Sequence, residues 1–184
     1  RQIALPHWVS PFFALFVPIG AFYLYRLRPK LTMWVVGISL ALAVVVQIEL
    51  VGKFGRFADM NSPFRDIYGW DMAMKEADKK LSEQNSSNKA LGVTNWSMAS
   101  RAIIYSASSV YLIDERKDQF DMWQSGEPVG KDILFVSPKS FHTDVNASFV
   151  CGDFARLGEY NATINGGLVE SFSYELCRGF GGKR

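Results

Sequence analysis

The chain has 184 residues, 48% of them hydrophobic, and carries 20 Lys and Arg against 18 Asp and Glu for a net charge of +2. A balance so near neutrality excludes the basic footprint of a nucleic-acid binder, so nucleic acid is not an expected partner. The hydrophobic share is high for a water-soluble domain and is concentrated before Gly52, after which the composition is that of an ordinary globular domain.

From Trp8 to Tyr25 the chain has no charged residue, and from Leu31 to Val51 it has only Glu49. Crossing the hydrocarbon of a bilayer takes about 20 apolar residues, so both runs are predicted as transmembrane helices. Pro11 suits a first helical turn, and Pro18 is expected to kink the first helix. A helical hairpin buried in a globular core would show a polar face, and neither run does; a signal peptide would need one run, not two. Between them, RLRPK puts Arg26, Arg28 and Lys30 in one short loop, which the positive-inside rule places in the cytoplasm. Lys53, Arg56 and Arg65 dilute that asymmetry, while Tyr23, Tyr25 and Trp34 supply an aromatic belt on the cytoplasmic side and Trp8 one opposite. His7 and everything beyond the second span are then extracytoplasmic. The chain opens on Arg1, with no basic leader ahead of it, which suggests the C-terminal end of something longer.

Residues 52–68, rich in Gly, Pro and Asn, read as a linker along the membrane surface. GWDMAMKEADKKLSEQ follows with Trp70, Met74, Ala77 and Leu81 at helical spacing. KALGVTN (89–95) reads as a strand, WSMASRAIIYS (96–106) as a helix, VYLID (110–114) and DILFVS (132–137) as two more strands. Strands alternating with helices imply a parallel, βαβ-like core. Two β-rich stretches then flank Gly166-Gly167, a hairpin turn, and should add antiparallel strands at one edge. The expected fold is two transmembrane helices (1–51), the linker (52–68) and a small α/β extracytoplasmic domain (69–184).

Between the second and third strands lies QFDMW, where Phe120 and Trp123 alternate with Gln119 and Asp121. Large aromatics in a loop either plug a core edge or face a partner. No phosphate-binding glycine loop follows the first strand, where VTNWSMAS stands, and the glycine-rich end GFGGKR has no helix after it and reads as a frayed terminus. Cys151 and Cys177 are either a disulfide formed in an oxidising compartment or two buried thiols. A zinc site would need four close ligands, with only His7 and His142 to help, and no metal site is assigned. His142 reads as an ordinary surface side chain without a nucleophile to serve, and Asp59, Asp66, Asp71, Asp118 and Asp121 as solvated charge. The sequons at Asn85, Asn95, Asn146 and Asn161 matter only in a eukaryotic lumen.

Taken in order, LPHWVSPFFALFVP, YGWDMAMKEADKKL, NWSMASRAIIYS, VYLID, QFDMW and GKDILFV resemble the C-terminal part of bacterial membrane glycosyltransferases of the dolichyl-phosphate-mannose protein mannosyltransferase-like superfamily, relatives of the lipid A aminoarabinose transferases. The resemblance covers the chain to about residue 137. It implies a multi-span GT-C type enzyme of the bacterial inner membrane, with this domain extracytoplasmic. Such an enzyme moves a sugar from a polyprenyl-phosphate donor to an extracytoplasmic acceptor, inverting the anomeric carbon with a carboxylate base. The family's base lies in the first outer loop, so no catalytic residue is assigned here. No cofactor is implied for this part, and a divalent metal elsewhere in the enzyme is left open. The implied partners are membrane lipid, the polyprenyl-phosphate-linked sugar and the remaining spans of the same enzyme. His7 and Trp8 match a family dipeptide at the outer membrane face, where a lipid phosphate could be bound, or form a plain interfacial belt. Gln119, Asp121 and Trp123 match the loop motif, either as substrate contacts or as a corner in which Trp123 caps the sheet edge and Asp121 accepts backbone hydrogen bonds. Phe120 and Met122 stand where the family has Tyr and Leu, and the tail from Pro138 onward could carry the acceptor preference. The competing reading is a membrane-tethered extracytoplasmic binding or sensing module without catalysis.

Overall fold

The structure, a computed structural model, describes residues 10–52, 65–113, 122–124 and 126–184. The chain divides after Gly52 into two units, at the point where the apolar composition gives way to a mixed one.

The first unit is helical, with α1 at Ser10–Leu27 and α2 at Pro29–Gly52. One helical stretch, Pro29–Glu49, is long and apolar enough to cross a membrane; the corresponding part of α1, Phe16–Leu27, is shorter than a span. Among the described residues, one of the two expected spans meets both criteria. Nor is RLRPK the expected loop. Arg28 is at once the end of α1 and the cap of α2: its N–H donates to the Leu24 carbonyl at 2.8 Å, and its carbonyl accepts from the Thr32 N–H at 3.1 Å. Pro29 suits the first position of α2, where a helix has no use for its missing N–H. Around α2 the apolar side chains of Trp34, Leu40 and Val45 all lie mostly exposed, so the helix has no polar face.

In the second unit a 3-10 turn at Arg65–Ile67 leads into Tyr68, which is buried. The end of the expected linker is thus part of the domain. Helix α3 (Trp70–Ser82) buries Trp70, Ala73, Met74, Ala77 and Leu81, the stripe its three-and-four spacing calls for. Strand β1 (Lys89–Val93) is followed by α4 (Trp96–Tyr105), capped by Asn95, whose Oδ1 accepts the Ser97 N–H at 2.8 Å. Then come β2 (Val110–Leu112), β3 (Asp132–Pro138), the short helix α5 (Val145–Ser148), β4 (Asp153–Ile164) and β5 (Gly167–Arg178). The five strands form one sheet in the order β2-β1-β3-β5-β4. The first three are mutually parallel and the last two antiparallel, a mixed α/β fold with the hairpin added at one edge. Its turn is Asn165-Gly166 and not Gly166-Gly167. A two-residue turn matching the strand twist needs positive φ at both central residues, and these have 51° and 81°.

Each face of the sheet has its own core. Leu91, Val93, Leu134, Val136, Phe172, Tyr174 and Leu176 lie under α3 and α4. On the opposite face Ala90, Ile133, Phe135 and Cys177 are covered by Val145, Phe149 and Phe180. The Phe135 and Phe149 rings stack at 4.8 Å. Gly92 lets this second layer close, since a Cβ there would sit 2.5 Å from Ile133 Cγ2.

The glycine-rich end is not frayed. Phe180 is 1% exposed, and its backbone exchanges hydrogen bonds with the GKD stretch: Gly130 N–H donates to the Phe180 carbonyl at 2.7 Å, and Phe180 N–H to the Lys131 carbonyl at 2.8 Å. Asp132 Oδ1 accepts the Gly179 N–H at 2.9 Å. Beyond it, Val150 and Gly182 pair backbone to backbone. A buried aromatic and partners for the Gly179, Phe180, Gly181 and Arg184 amides outweigh the entropy of ordering a few glycines. Cys151 and Cys177 are joined in a disulfide, with Cα atoms 5.2 Å apart, which pins the covering segment to β5.

Tyr174 ties sheet to helix, its Oη donating to the Ala73 carbonyl at 2.8 Å. Burial pushes its phenol above the ordinary tyrosine value, and the nearby Glu76 and Tyr160 push the same way. A folded-state value raised above the unfolded one gives stability that is complete below about pH 10 and is lost as pH rises further. The Tyr174→Phe variant should therefore be less stable by about 1 kcal/mol at neutral pH. It should also lose less stability than wild type above about pH 10, a comparison read from thermal melts across pH. Replacing both Cys151 and Cys177 by Ala opens a loop of sequence separation 26 and should cost about 2–4 kcal/mol in denaturant titrations.

Candidate functional site

The second face of the sheet is apolar only where Phe149 and Phe180 cover it. Along β5 its residues run Cys177, Glu175, Ser173, Ser171, every second position, so the face turns from apolar to polar as the strand leaves its cover. Neighbouring strands continue the change. Glu175 is flanked by Phe135 of β3 and Arg156 of β4, Ser173 by Ser137 and Glu159, and Ser171 by Asn161.

A bulge makes this arrangement possible. Between Arg156 and Glu159 the register slips by one residue against β5. Strict alternation would put residues 156, 158 and 160 on one face; the extra residue keeps both Arg156 and Glu159 on the polar side while Leu157 and Tyr160 pack against the helix-side core.

Small serines form the floor and longer side chains the walls of a cleft of about 350 Å³. It is lined by Lys139, His142, Arg156, Glu159, Ser171, Ser173 and Glu175, among others. Glu175 is 3% exposed, with Oε1 3.3 Å from Arg156 Nε and Oε2 accepting the Val145 N–H at 3.4 Å. A carboxylate this buried is held in place by its partners, and the rest of the Arg156 guanidinium remains at the surface. Ser173 Oγ donates to the Ser137 carbonyl at 3.2 Å and lies 3.5 Å from His142 Nδ1. Ser171 Oγ donates to Asn161 Oδ1. The 3-10 turn Lys139–Phe141, which brings Lys139 and His142 to the rim, is fixed by Ser140 Oγ donating at 2.6 Å to the buried Glu170. Among the described residues the side chains of Lys139 and Glu159 make no hydrogen bond or ion pair, so their charges are available to a ligand.

A second place to look in an α/β sheet is the crevice at the carboxyl ends of its parallel strands, where the strand order reverses, here between β1 and β3. It is nearly full. Trp70, Asn95, Ser97, Met98, Arg101, Pro138 and Phe141 leave about 40 Å³, on the order of a single water. Asn95 already occupies the first amides of α4, and the Thr94 and Thr143 hydroxyls meet at 2.8 Å.

Of the residues singled out by sequence, His7, Trp8, Gln119 and Asp121 lie outside the described residues. Trp123 is 69% exposed and does not cap the sheet edge. Gln124 does so instead: its Oε1 accepts the Leu112 N–H and its Nε2 donates to the Leu112 carbonyl at 3.2 Å, mimicking a neighbouring strand. A carboxamide can serve both ladder positions of an edge residue, which an indole cannot. None of the described candidates reaches the cleft, whereas His142, read as an ordinary surface residue, lines it. The cleft residues escaped the sequence reading, although Ser171, Ser173 and Glu175 alternate with Phe172, Tyr174 and Leu176 in the pattern of a strand with one polar face. No three or more His, Cys, Asp or Glu side chains among the described residues are grouped to hold a metal ion. Compared with family models, curated proteins and solved structures, the chain matches none.

Proposed function

We propose that the chain is the C-terminal portion of an integral-membrane glycosyltransferase that moves a sugar from a polyprenyl-phosphate donor to an extracytoplasmic lipid, glycan or protein acceptor. The observation that carries this reading is the run of motifs from LPHW through QFDMW to GKDILFV in the sequence, in a chain that also has an apolar helix and a disulfide-bonded α/β domain. A helix without a polar face is suited to lipid, and a disulfide to an oxidising compartment such as the periplasm. In this reading α1 joins α2 as a second span, the domain lies outside the bacterial inner membrane, and the catalytic carboxylate belongs to an outer loop of the same enzyme upstream. The residues of this chain bind and orient. His7 and Trp8 would meet the lipid-linked donor at the membrane face, and Gln119, Asp121 and Trp123 would contact substrate from the loop after β2. Trp123 is mostly exposed and is not among the residues of either core cluster.

A second reading, a membrane-tethered binding module without catalysis, is favoured by the cleft, whose lining comes wholly from the domain itself.

Assay of the full-length protein with a polyprenyl-phosphate sugar separates the two. The transferase reading expects turnover, and Trp123→Ala should lower it about tenfold, the loss of roughly 1.4 kcal/mol of transition-state contact, with the fold unchanged by circular dichroism. Full turnover in the variant would remove Trp123 from the substrate site; no transfer by the wild type would leave the binding module. A periplasmic reporter fused after Arg184 should be active, and an inactive one would overturn the orientation.

A further inference from the structure

We infer that the cleft on the β4–β5 face is a binding site for a short, uncharged saccharide of one or two rings. The inference stands on the domain's own residues and does not require the transferase reading.

Charge selects the ligand class by elimination. The lining includes Lys139 and Arg156 together with Glu159 and Glu175, two formal positive charges and two negative. Arg156 and Glu175 are already paired, which leaves one free ammonium and one free carboxylate at the rim. An anion drawn to Lys139 meets the uncompensated Glu159, and a cation drawn to Glu159 meets Lys139 and the outer guanidinium nitrogens of Arg156. An apolar ligand would bury the Ser171 and Ser173 hydroxyls and the rim charges without offering them hydrogen bonds. A sugar ring meets every one of these groups. Each of its hydroxyls donates once and accepts twice, so it can give to Glu159 and take from Lys139, Arg156 or His142 in the same cleft.

Size and rigidity agree. A volume of about 350 Å³ sits at the small end of ligand sites, which run from about 300 to 1,000 Å³. The groups that would touch the ligand are held from behind before it arrives: Arg156 by the buried Glu175, Glu175 by the Val145 N–H, and the Lys139–His142 turn by Ser140 on the buried Glu170. Such preorganisation lowers the entropy lost on binding. A merely solvated hairpin face would need neither buried carboxylate, since polar side chains facing water satisfy themselves.

The test is saturation-transfer NMR on the full chain in a sugar-free amphipol, with glucose, mannose, N-acetylglucosamine and cellobiose as probes and inorganic phosphate and glycine as charged competitors. At least one saccharide should show saturable transfer that neither competitor displaces. Glu159→Gln, at an exposed position, and the pair Glu159→Gln with Ser173→Ala should each lower the affinity, the pair at least fivefold, with the thermal melt unchanged for the single variant. Displacement by phosphate would make the cleft an anion site and overturn the proposal, as would transfer that persists in both variants or is absent from the wild type. Saccharide binding in a protein that transfers no sugar would keep the cleft and remove the transferase; transfer without binding at the cleft would do the reverse.

Discussion

Strand β5 is the constraint on which the rest of the domain depends. It lies between β3 and β4, so its backbone is satisfied on both sides, and its twelve residues carry two different surfaces. Phe172, Tyr174 and Leu176 must be buried, and α3 and α4 exist in part to bury them. On the other side the strand offers Cys177 and then Glu175, Ser173 and Ser171. Because side chains alternate strictly, the same backbone that builds the main core also projects the polar row in register. A slip of one residue would exchange the two sets and leave serines and a glutamate under the helices.

What limits the second core also defines the cleft. Phe149 and Phe180 cover Ile133 and Phe135 but go no further, since Phe180 is fixed by GKD at one end of the sheet and the disulfide ties Cys151 to Cys177 at the same end. Past that point nothing apolar asks to be covered. The three anchors come from the chain's last glycine-rich residues, the start of β3 and the loop before β4, so the position of the polar region is set by pieces distant in sequence. The bulge in β4 then brings Glu159 into the row beside Arg156, where strict alternation would continue with Gly158 and Tyr160.

Much of this was legible beforehand and some was not, for identifiable reasons. The stripe Trp70, Met74, Ala77, Leu81 announced α3 because a helical period needs only local residues. The parallel strands and the edge hairpin followed from alternation of elements, with the turn displaced by one residue because Asn165, too, adopts positive φ. The tail was misread: glycines without a following helix look like a frayed end, and only the tertiary structure brings GKD within reach of Phe180. QFDMW invited a structural role for Trp123, yet the neighbouring Gln124 makes the edge contact, a job that depends on hydrogen-bond geometry and leaves no mark in hydropathy. For the cleft, the S-x-S-x-E pattern was visible, but the partners that turn a polar strand face into a walled site, Arg156, Glu159, Lys139 and His142, come from other strands and turns.

The two units differ in how much apolar surface they leave exposed, and this bears on what each contributes. The domain closes both faces of its sheet with its own residues, from Tyr68 to Phe180, and needs no apolar surface from elsewhere to do so. Helix α2, by contrast, exposes apolar side chains all round and can bury them only in lipid or against other apolar helices. The domain's core is built without the two helices: neither of its two apolar clusters includes a residue of α1 or α2. The cleft is lined wholly by residues of β4, β5 and the turn after β3, so its geometry is set within the domain. Under the proposed reading, the apolar helix would set where the cleft operates, and Glu159 and Ser173 what it holds.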